Sequence, residues 1–149
     1  MAIIRVTKIF KFEMAHALWN YDGLCKNIHG HSYVLEVTVK GEPINDKSNP
    51  KLGMVLDFGD LKKIIEKQII SLTDHAVFLS KDAPHEKLSS IREMFDRCEI
   101  VDFQPTCENL VVYFAEKIKN FLPKNLVLHS LCLHETPTSY AEWYACDNE

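Results

Sequence analysis

The sequence lacks the features that mark a nucleic-acid-binding, membrane-spanning or secreted protein. Its 17 Lys and Arg are outnumbered by 21 Asp and Glu, a formal charge of −4. The basic footprint of a nucleic-acid binder is therefore missing. No block of like charge reads as an interaction tail. No apolar run approaches the roughly 20 residues that a membrane-spanning helix needs. Residues 1–6 are too short and too broken by Arg5 for a signal peptide. The five cysteines, at 25, 98, 107, 132 and 146, are odd in number and scattered. They show neither zinc-finger spacing nor a disulfide framework, so reduced thiols in the cytoplasm are expected. There is no internal repeat and no linker. What remains is a globular composition, 46% hydrophobic and 26% charged, in 149 residues. That length predicts a single domain over 1–149, able to bury its own core.

One stretch organises the rest: Cys25-Lys26-Asn27-Ile28-His29-Gly30-His31, running into Ser32-Tyr33-Val34-Leu35-Glu36-Val37-Thr38-Val39. The alternation of Tyr33, Leu35, Val37 and Val39 predicts a strand with one apolar face. Residues two apart share a face, so His29 and His31 project to the same side if the strand extends back to them. They are then roughly 6–7 Å apart along the backbone, a span that suits two ligands of one metal ion. Gly30 between them permits close backbone approach or unusual dihedrals. The plainer alternative is an exposed and idle His-x-His pair.

A third histidine strengthens the metal reading. Residues 3–16 read as a strand in which Ile4, Val6, Phe10, Phe12, Met14 and His16 share a parity, interrupted by Lys8. A lone histidine ending an apolar face is usually a core residue satisfied by a carbonyl. Here an antiparallel hairpin through the loop Asn20-Tyr21-Asp22-Gly23 brings His16 beside His29 and His31. Beyond a loop over 41–53, Met54-Val55-Leu56 suggests a short buried strand. Residues 57–72 predict a helix with Leu61, Ile64, Ile65, Ile69 and Leu72 inward. Asp74-His75 follows it, either a histidine at a helix C-terminus or a titratable pair. Residues 80–102 read as mixed loop, with a helical turn over 90–95, a strand over 99–103 and His85 on the surface. Thr106 caps a second helix that Pro123 stops, and Glu108 suits its first turn. Residues 125–135 predict a strand with Val127, Leu131, Leu133 and Glu135 on one face. A carboxylate there is costly unless paired. It is either a buried salt bridge or a functional group. A last strand covers 140–145. The order of elements favours α+β over a parallel α/β fold.

Three histidines with an open fourth position are a catalytic zinc pattern. Such an ion polarises a hydroxyl or carbonyl. Cys25 can act as base or nucleophile once its pKa, ordinarily about 8.5, is lowered. His75, oriented by Asp74, can assist it. Glu135 can hold the donor edge of a planar heterocycle through two hydrogen bonds. The residues alone thus read as metal-assisted proton transfer on a small polar substrate.

Several motifs together resemble the 6-pyruvoyl-tetrahydropterin synthase family. They are Phe12-x-x-x-His16, Cys25-x3-His29-Gly30-His31, Met54-Val55-x-Asp57-Phe58-x-x-Leu61-Lys62, Asp74-His75, Pro105-Thr106-x-Glu108-Asn109-Leu110 and Glu135-Thr136. They stand in family order and are most similar to the bacterial 6-carboxy-5,6,7,8-tetrahydropterin synthase branch. The resemblance implies a tunnelling fold, with a four-stranded antiparallel sheet and two helices on one face. It implies a homo-oligomer, trimer or hexamer, in which sheets close into a barrel and active sites lie between subunits. It implies zinc on His16, His29 and His31, Cys25 as proton acceptor, and Asp74 and His75 as its relay, commonly from a neighbouring subunit. Glu135 matches the residue that anchors the pterin and joins the relay, and Thr106 and Glu108 match the segment beside it.

The implied substrate is 7,8-dihydroneopterin triphosphate. The bacterial branch converts it to 6-carboxytetrahydropterin, acetaldehyde and triphosphate, feeding 7-deazaguanine and queuosine synthesis. The pyruvoyl branch eliminates triphosphate from the same substrate. Three residues between Cys25 and His29 resemble the bacterial branch, whereas animal pyruvoyl enzymes usually carry a longer gap. A non-catalytic, zinc-stabilised pterin-binding oligomer is the third reading, and Cys25, Asp74 and His75 together speak against it. The chain departs from the family at Phe78-Leu79-Ser80, where Leu-Asn is frequent. It also departs in a longer segment over 80–102, and at Cys107, where a small hydroxyl or alanine is usual.

Overall fold

The computed structural model describes residues 2–149. Its main elements are β1 (Ile4–His16), β2 (His29–Gly41), α1 (Phe58–Ile65), α2 (Ser71–Thr73), β3 (Ala76–Ser80), α3 (His85–Met94), β4 (Cys98–Val101), α4 (Cys107–Lys119), β5 (Val127–Thr136) and β6 (Ser139–Tyr144). β1 and β2 form a long antiparallel hairpin, in register from Ile4 opposite Gly41 to His16 opposite His29. Phe10, Phe12, Met14 and His16 therefore share a face with Tyr33, Leu35, Val37 and Val39, and all eight are buried. β5 pairs antiparallel with β2, and β6 with β5. This is the four-stranded antiparallel sheet that the family resemblance implies.

The sheet does not stop at four strands. Its order is β4-β3-β1-β2-β5-β6, with β3 parallel to β1 and β4 parallel to β3. Parallel neighbours need a crossover, and two are present. One runs from β1 through β2 and α1 to β3, the other from β3 through α3 to β4. Residues 80–102 thus hold a ten-residue helix rather than a turn, and the strand there lies at Cys98–Val101 rather than 99–103.

The core lies between the inner face of the sheet and two helices. The Asp57 side chain caps α1 by accepting a hydrogen bond from Gly59 N at 2.7 Å. The helix runs on through a π segment, Glu66–Ile70, into α2. Leu61, Ile65 and Ile69 from this side meet Leu110, Phe114 and Ile118 of α4 over the sheet. Phe114 packs edge-on to Phe12 at 6.1 Å, a contact type whose truncation costs about 3–5 kcal/mol. α3 is not part of this layer. Its Leu88 packs with Leu79 and Cys98 in a separate cluster, while Phe78 joins the main core. The two faces of β3 therefore serve two cores, and the expected pair of helices on one face gains a third helix elsewhere.

Three further expectations need correction. Residues 54–56 form no strand. Ile44 N donates to Met54 O and Gly53 N donates to Ile44 O, at 3.0 and 2.8 Å, closing a loop through Gly53 at φ 86°. Val55 is nonetheless buried. In β5, strict alternation would put Val127 inward. A register shift at Thr38/Val39 instead makes His129 an extra residue, so Leu128 is 3% exposed and Val127 46%. α4 ends at Lys119 and not at Pro123.

Candidate functional site

His16 ends β1, His29 opens β2, and the two face each other in the last pair of the hairpin. His31 lies one alternation further on the same face. The ring centroids are 4.5 Å apart for His16 and His29, 5.0 Å for His29 and His31, and 5.2 Å for His16 and His31. Backbone carbonyls set two of the tautomers. His16 Nδ1 lies 2.7 Å from Pro105 O, and His29 Nδ1 lies 2.8 Å from Asn27 O. A carbonyl only accepts, so each Nδ1 carries the proton and each Nε2 keeps a free lone pair.

The Nε2 atoms of His16, His29 and His31 are all buried without a hydrogen-bond partner. Glu135, from the inner face of β5, brings Oε1 to 3.3 Å from His16 Nε2 and 3.1 Å from His31 Nε2, in poor alignment for a hydrogen bond to either. One ligand atom from each of the four residues lies within 4.8 Å of the others. Orphaned buried polar atoms cost about 1–3 kcal/mol each, and three lone pairs gathered beside a carboxylate are what a cation explains. The protonation states agree. Burial is the main cause that lowers the His31 pKa, against an opposing pull from Glu135. The close approach of His16 is the first cause that holds the Glu135 carboxyl below its ordinary value, against the effect of burial. Neutral imidazole and ionised carboxylate are the ligand forms.

A cavity of about 580 Å³ is lined by His31 and Glu135 of this cluster together with Gly30, Ser32, Glu36 and His134, which alternate toward the other face of the sheet. Gly30 has an ordinary backbone, and an added Cβ would meet Met14 O at 3.4 Å, an ordinary contact. Neither close approach nor unusual dihedrals explain it. It lines both this cavity and a second one of about 370 Å³ that reaches His75 and Glu13. A side chain at this position would project into that space.

Asp74 and His75 do form a pair, with His75 Nδ1 3.0 Å from Asp74 Oδ2. The pair lies past the end of α2, and its backbone is held from three sides. Glu13 N donates to Asp74 Oδ1 at 2.9 Å, and His75 N donates to Glu13 O. Arg97 donates to the carbonyls of Asp74 and Ser71 at 2.9 and 2.6 Å. His75 sits at φ 61°, and its side chain is 75% exposed. Cys25 is also exposed, in a 3-10 turn over Leu24–Lys26. Leu18 N donates to Cys25 O at 2.9 Å, which ties this turn to the end of β1. Within one chain, neither Cys25 nor the Asp74–His75 pair joins the histidine cluster.

The family model for 6-pyruvoyl tetrahydropterin synthase matches residues 5–146. A 6-carboxy-5,6,7,8-tetrahydropterin synthase from Haemophilus influenzae is 36% identical over 145 residues, which are 95% of this chain and 99% of that protein. The chain belongs to the 6-pyruvoyl tetrahydropterin synthase family. A 6-pyruvoyl tetrahydrobiopterin synthase from Poecilia reticulata is 33% identical over 88% of this chain and 83% of its own length. Among solved structures, the 6-pyruvoyl tetrahydropterin synthase of Caenorhabditis elegans superposes with a TM-score of 0.68 at 26% identity, covering 97% of each chain. An uncharacterized protein from Wolinella succinogenes reaches a TM-score of 0.80 at 22% identity and bears on the fold alone. The chain is thus a tetrahydropterin synthase-type enzyme with the tunnelling fold. Among the described residues no helix is long and apolar enough to cross a membrane.

The family's segment before α4 lies against the cluster. Thr106 is the N-cap, its hydroxyl accepting from Asn109 N at 3.2 Å. Glu108 is exposed in the first turn. The supporting residues escaped the sequence reading. Pro105 and Asn27 act through backbone carbonyls, which no side-chain pattern reveals. Gln104 clamps the loop after His16 by accepting from Trp19 N at 2.9 Å and donating to Trp19 O at 2.7 Å. Arg97 and Glu13 secure the Asp74–His75 turn. The only signal for them was their place near elements that the topology later joined.

Proposed function

We propose that this chain, working as one domain, is a zinc-dependent lyase of the 6-carboxytetrahydropterin synthase branch in the cytoplasm. It converts 7,8-dihydroneopterin triphosphate and water to 6-carboxy-5,6,7,8-tetrahydropterin, acetaldehyde and triphosphate, a step toward 7-deazaguanine and queuosine. The observation that carries this reading is the set of three buried, unpartnered Nε2 atoms beside Glu135 at the edge of a cavity. His16, His29 and His31 hold the ion. When bound, zinc would supply Lewis acidity to the hydroxyl oxygens of the substrate side chain and so acidify the carbons that bear them. Glu135 turns to the pterin and accepts from its N–H edge through both oxygens. Thr106 and Glu108 flank the ring. Cys25, as thiolate, takes the proton from the side chain. His75, oriented by Asp74, holds and passes on that proton.

The exposure of His75 and Cys25 favours completion of each site by a neighbouring subunit. The open outer strands β4 and β6 favour a homo-oligomer, trimer or hexamer, whose sheets close into a barrel. The short Cys25–His29 spacing and the Haemophilus influenzae relative favour the carboxy product. The Poecilia reticulata relative favours a second reading, in which the same site eliminates triphosphate to give the pyruvoyl pterin. Product analysis decides. Zinc-loaded protein incubated with dihydroneopterin triphosphate is expected to release acetaldehyde and a carboxylated pterin. A pyruvoyl pterin without acetaldehyde would establish the second reading. No turnover at all would remove both.

A further inference from the structure

On the other face of the sheet, away from the three histidines, a second mixed cluster spans β2 and β5. Glu36 lies directly opposite Cys132. His134 follows two residues later on the same face. His134 Nε2 is 3.2 Å from Glu36 Oε2 and 3.4 Å from Cys132 Sγ. One ligand atom from each of the three lies within 4.8 Å of the others. A Glu–His pair is an ordinary cross-strand contact, but it does not account for a thiol held against both partners.

The distances suit an ion. Tetrahedral zinc, with bonds of about 2.0–2.2 Å to nitrogen and oxygen and about 2.3 Å to sulfur, sets nitrogen and oxygen roughly 3.4 Å apart and nitrogen and sulfur roughly 3.6 Å apart. Both observed separations fall close to those edges. The electrostatics suit one too. Glu142 of β6 stands opposite Cys132 on its other side. Three acceptor-type groups and a second carboxylate meet here, and Glu36 and His134 line one cavity. That cavity also gives an entry path.

We propose that Glu36, Cys132 and His134 form a second divalent-cation site of the zinc class, separate from the three-histidine cluster. Thiolate and imidazole select zinc or cobalt over magnesium or calcium, and three protein ligands leave a position for water. An ion here clips β5 to β2 one residue before Glu135, so it braces the strand that carries that carboxylate. The site does not depend on which tetrahydropterin the enzyme makes.

Metal-stripped protein titrated with cobalt(II) is the test. Two equivalents per chain are expected, one of them with a thiolate-to-cobalt charge-transfer band in the near ultraviolet. The band should persist in Cys25→Ala and vanish in Cys132→Ser, which should keep one equivalent. A single equivalent in the wild type, or a band that survives Cys132→Ser, overturns the proposal. If circular dichroism shows that Cys132→Ser does not fold, X-ray absorption of zinc-loaded Cys25→Ala protein decides. A sulfur neighbour at about 2.3 Å is expected, and only nitrogen and oxygen neighbours would exclude the site.

Discussion

His16 and His75 belong to neighbouring parts of one sheet, yet the chain treats them in opposite ways. His16 is 1% exposed, locked through Nδ1 to Pro105, and packed edge-on to Tyr33. His75 sits one residue before the strand that pairs with the end of β1, and its side chain is 75% exposed. The backbone of His75 is nonetheless well held. A non-glycine residue in the left-handed region costs about 1–3 kcal/mol, and Glu13 and Arg97 maintain it there. The histidine end is thus assembled and desolvated inside one chain. The Asp74–His75 end has a fixed backbone and a free side chain, the form of a group presented to something outside the chain.

The sharpest way to break that contrast is at the buried end. His31→Ala removes one of three convergent lone pairs and leaves His16 and His29 without a complete ligand set. It is expected to lose the metal of that cluster and activity together, with activity falling to background. Full metal content in this variant, measured by elemental analysis on protein of wild-type helix and sheet content, would end the ligand assignment.

At the exposed end the effect is expected to be catalytic and not structural. Cys25→Ala and His75→Ala should each keep full metal content and lose about 100–10,000-fold in kcat, the usual worth of a positioned acid or base. The two variants also test presentation across subunits. Mixed and reassembled, they form some sites with an intact thiol from one chain and an intact imidazole from the next, so part of the activity should return. Mixtures as inactive as their components would place both groups in the same chain's site.

The two ends also differed in legibility. Period-2 alternation gave the parities of His16, His29, His31 and Glu135 directly, because a strand's inner face is written in its sequence. The hairpin register then follows from burying Phe12, Tyr33 and Leu35 together. The extension of the sheet was harder to read. Ala76 to Ser80 is buried on nearly every residue because β3 packs on both faces, so it shows no alternation and reads as a helix exit. Met54-Val55-Leu56 misled for the converse reason, being apolar enough for a strand but used as a lid over one edge of the core. The His129 bulge was invisible because it changes parity without changing composition. The carbonyls of Pro105 and Asn27, which set the histidine tautomers, have no sequence signature.

The smallest expected effect separates the two regions by pH. His31 has its pKa lowered, chiefly by burial, so the folded chain without metal favours the neutral ring. That contribution is present above the unfolded value of about 6.5 and is lost as pH falls below it. The Asp74 carboxyl is also lowered, chiefly by the hydrogen bond from Glu13 N and then by His75. Its charged form is favoured, so its contribution is present above about 3.9 and lost only as pH falls further. Acid should therefore weaken the metal-free protein in two stages, the histidine cluster first and Asp74 second. Asp74→Asn keeps an oxygen for Glu13 N but has no charge to lose. Its urea midpoint should lie slightly below the wild type at neutral pH, follow it through the first stage, and close the gap in the second. The effect is small because the Asp74 side chain is 38% exposed, and water screens what the turn supplies. A gap that stays constant from neutral to strongly acid pH would mean that the Asp74 charge does not hold the turn, leaving that work to Arg97 and the backbone bond to Glu13.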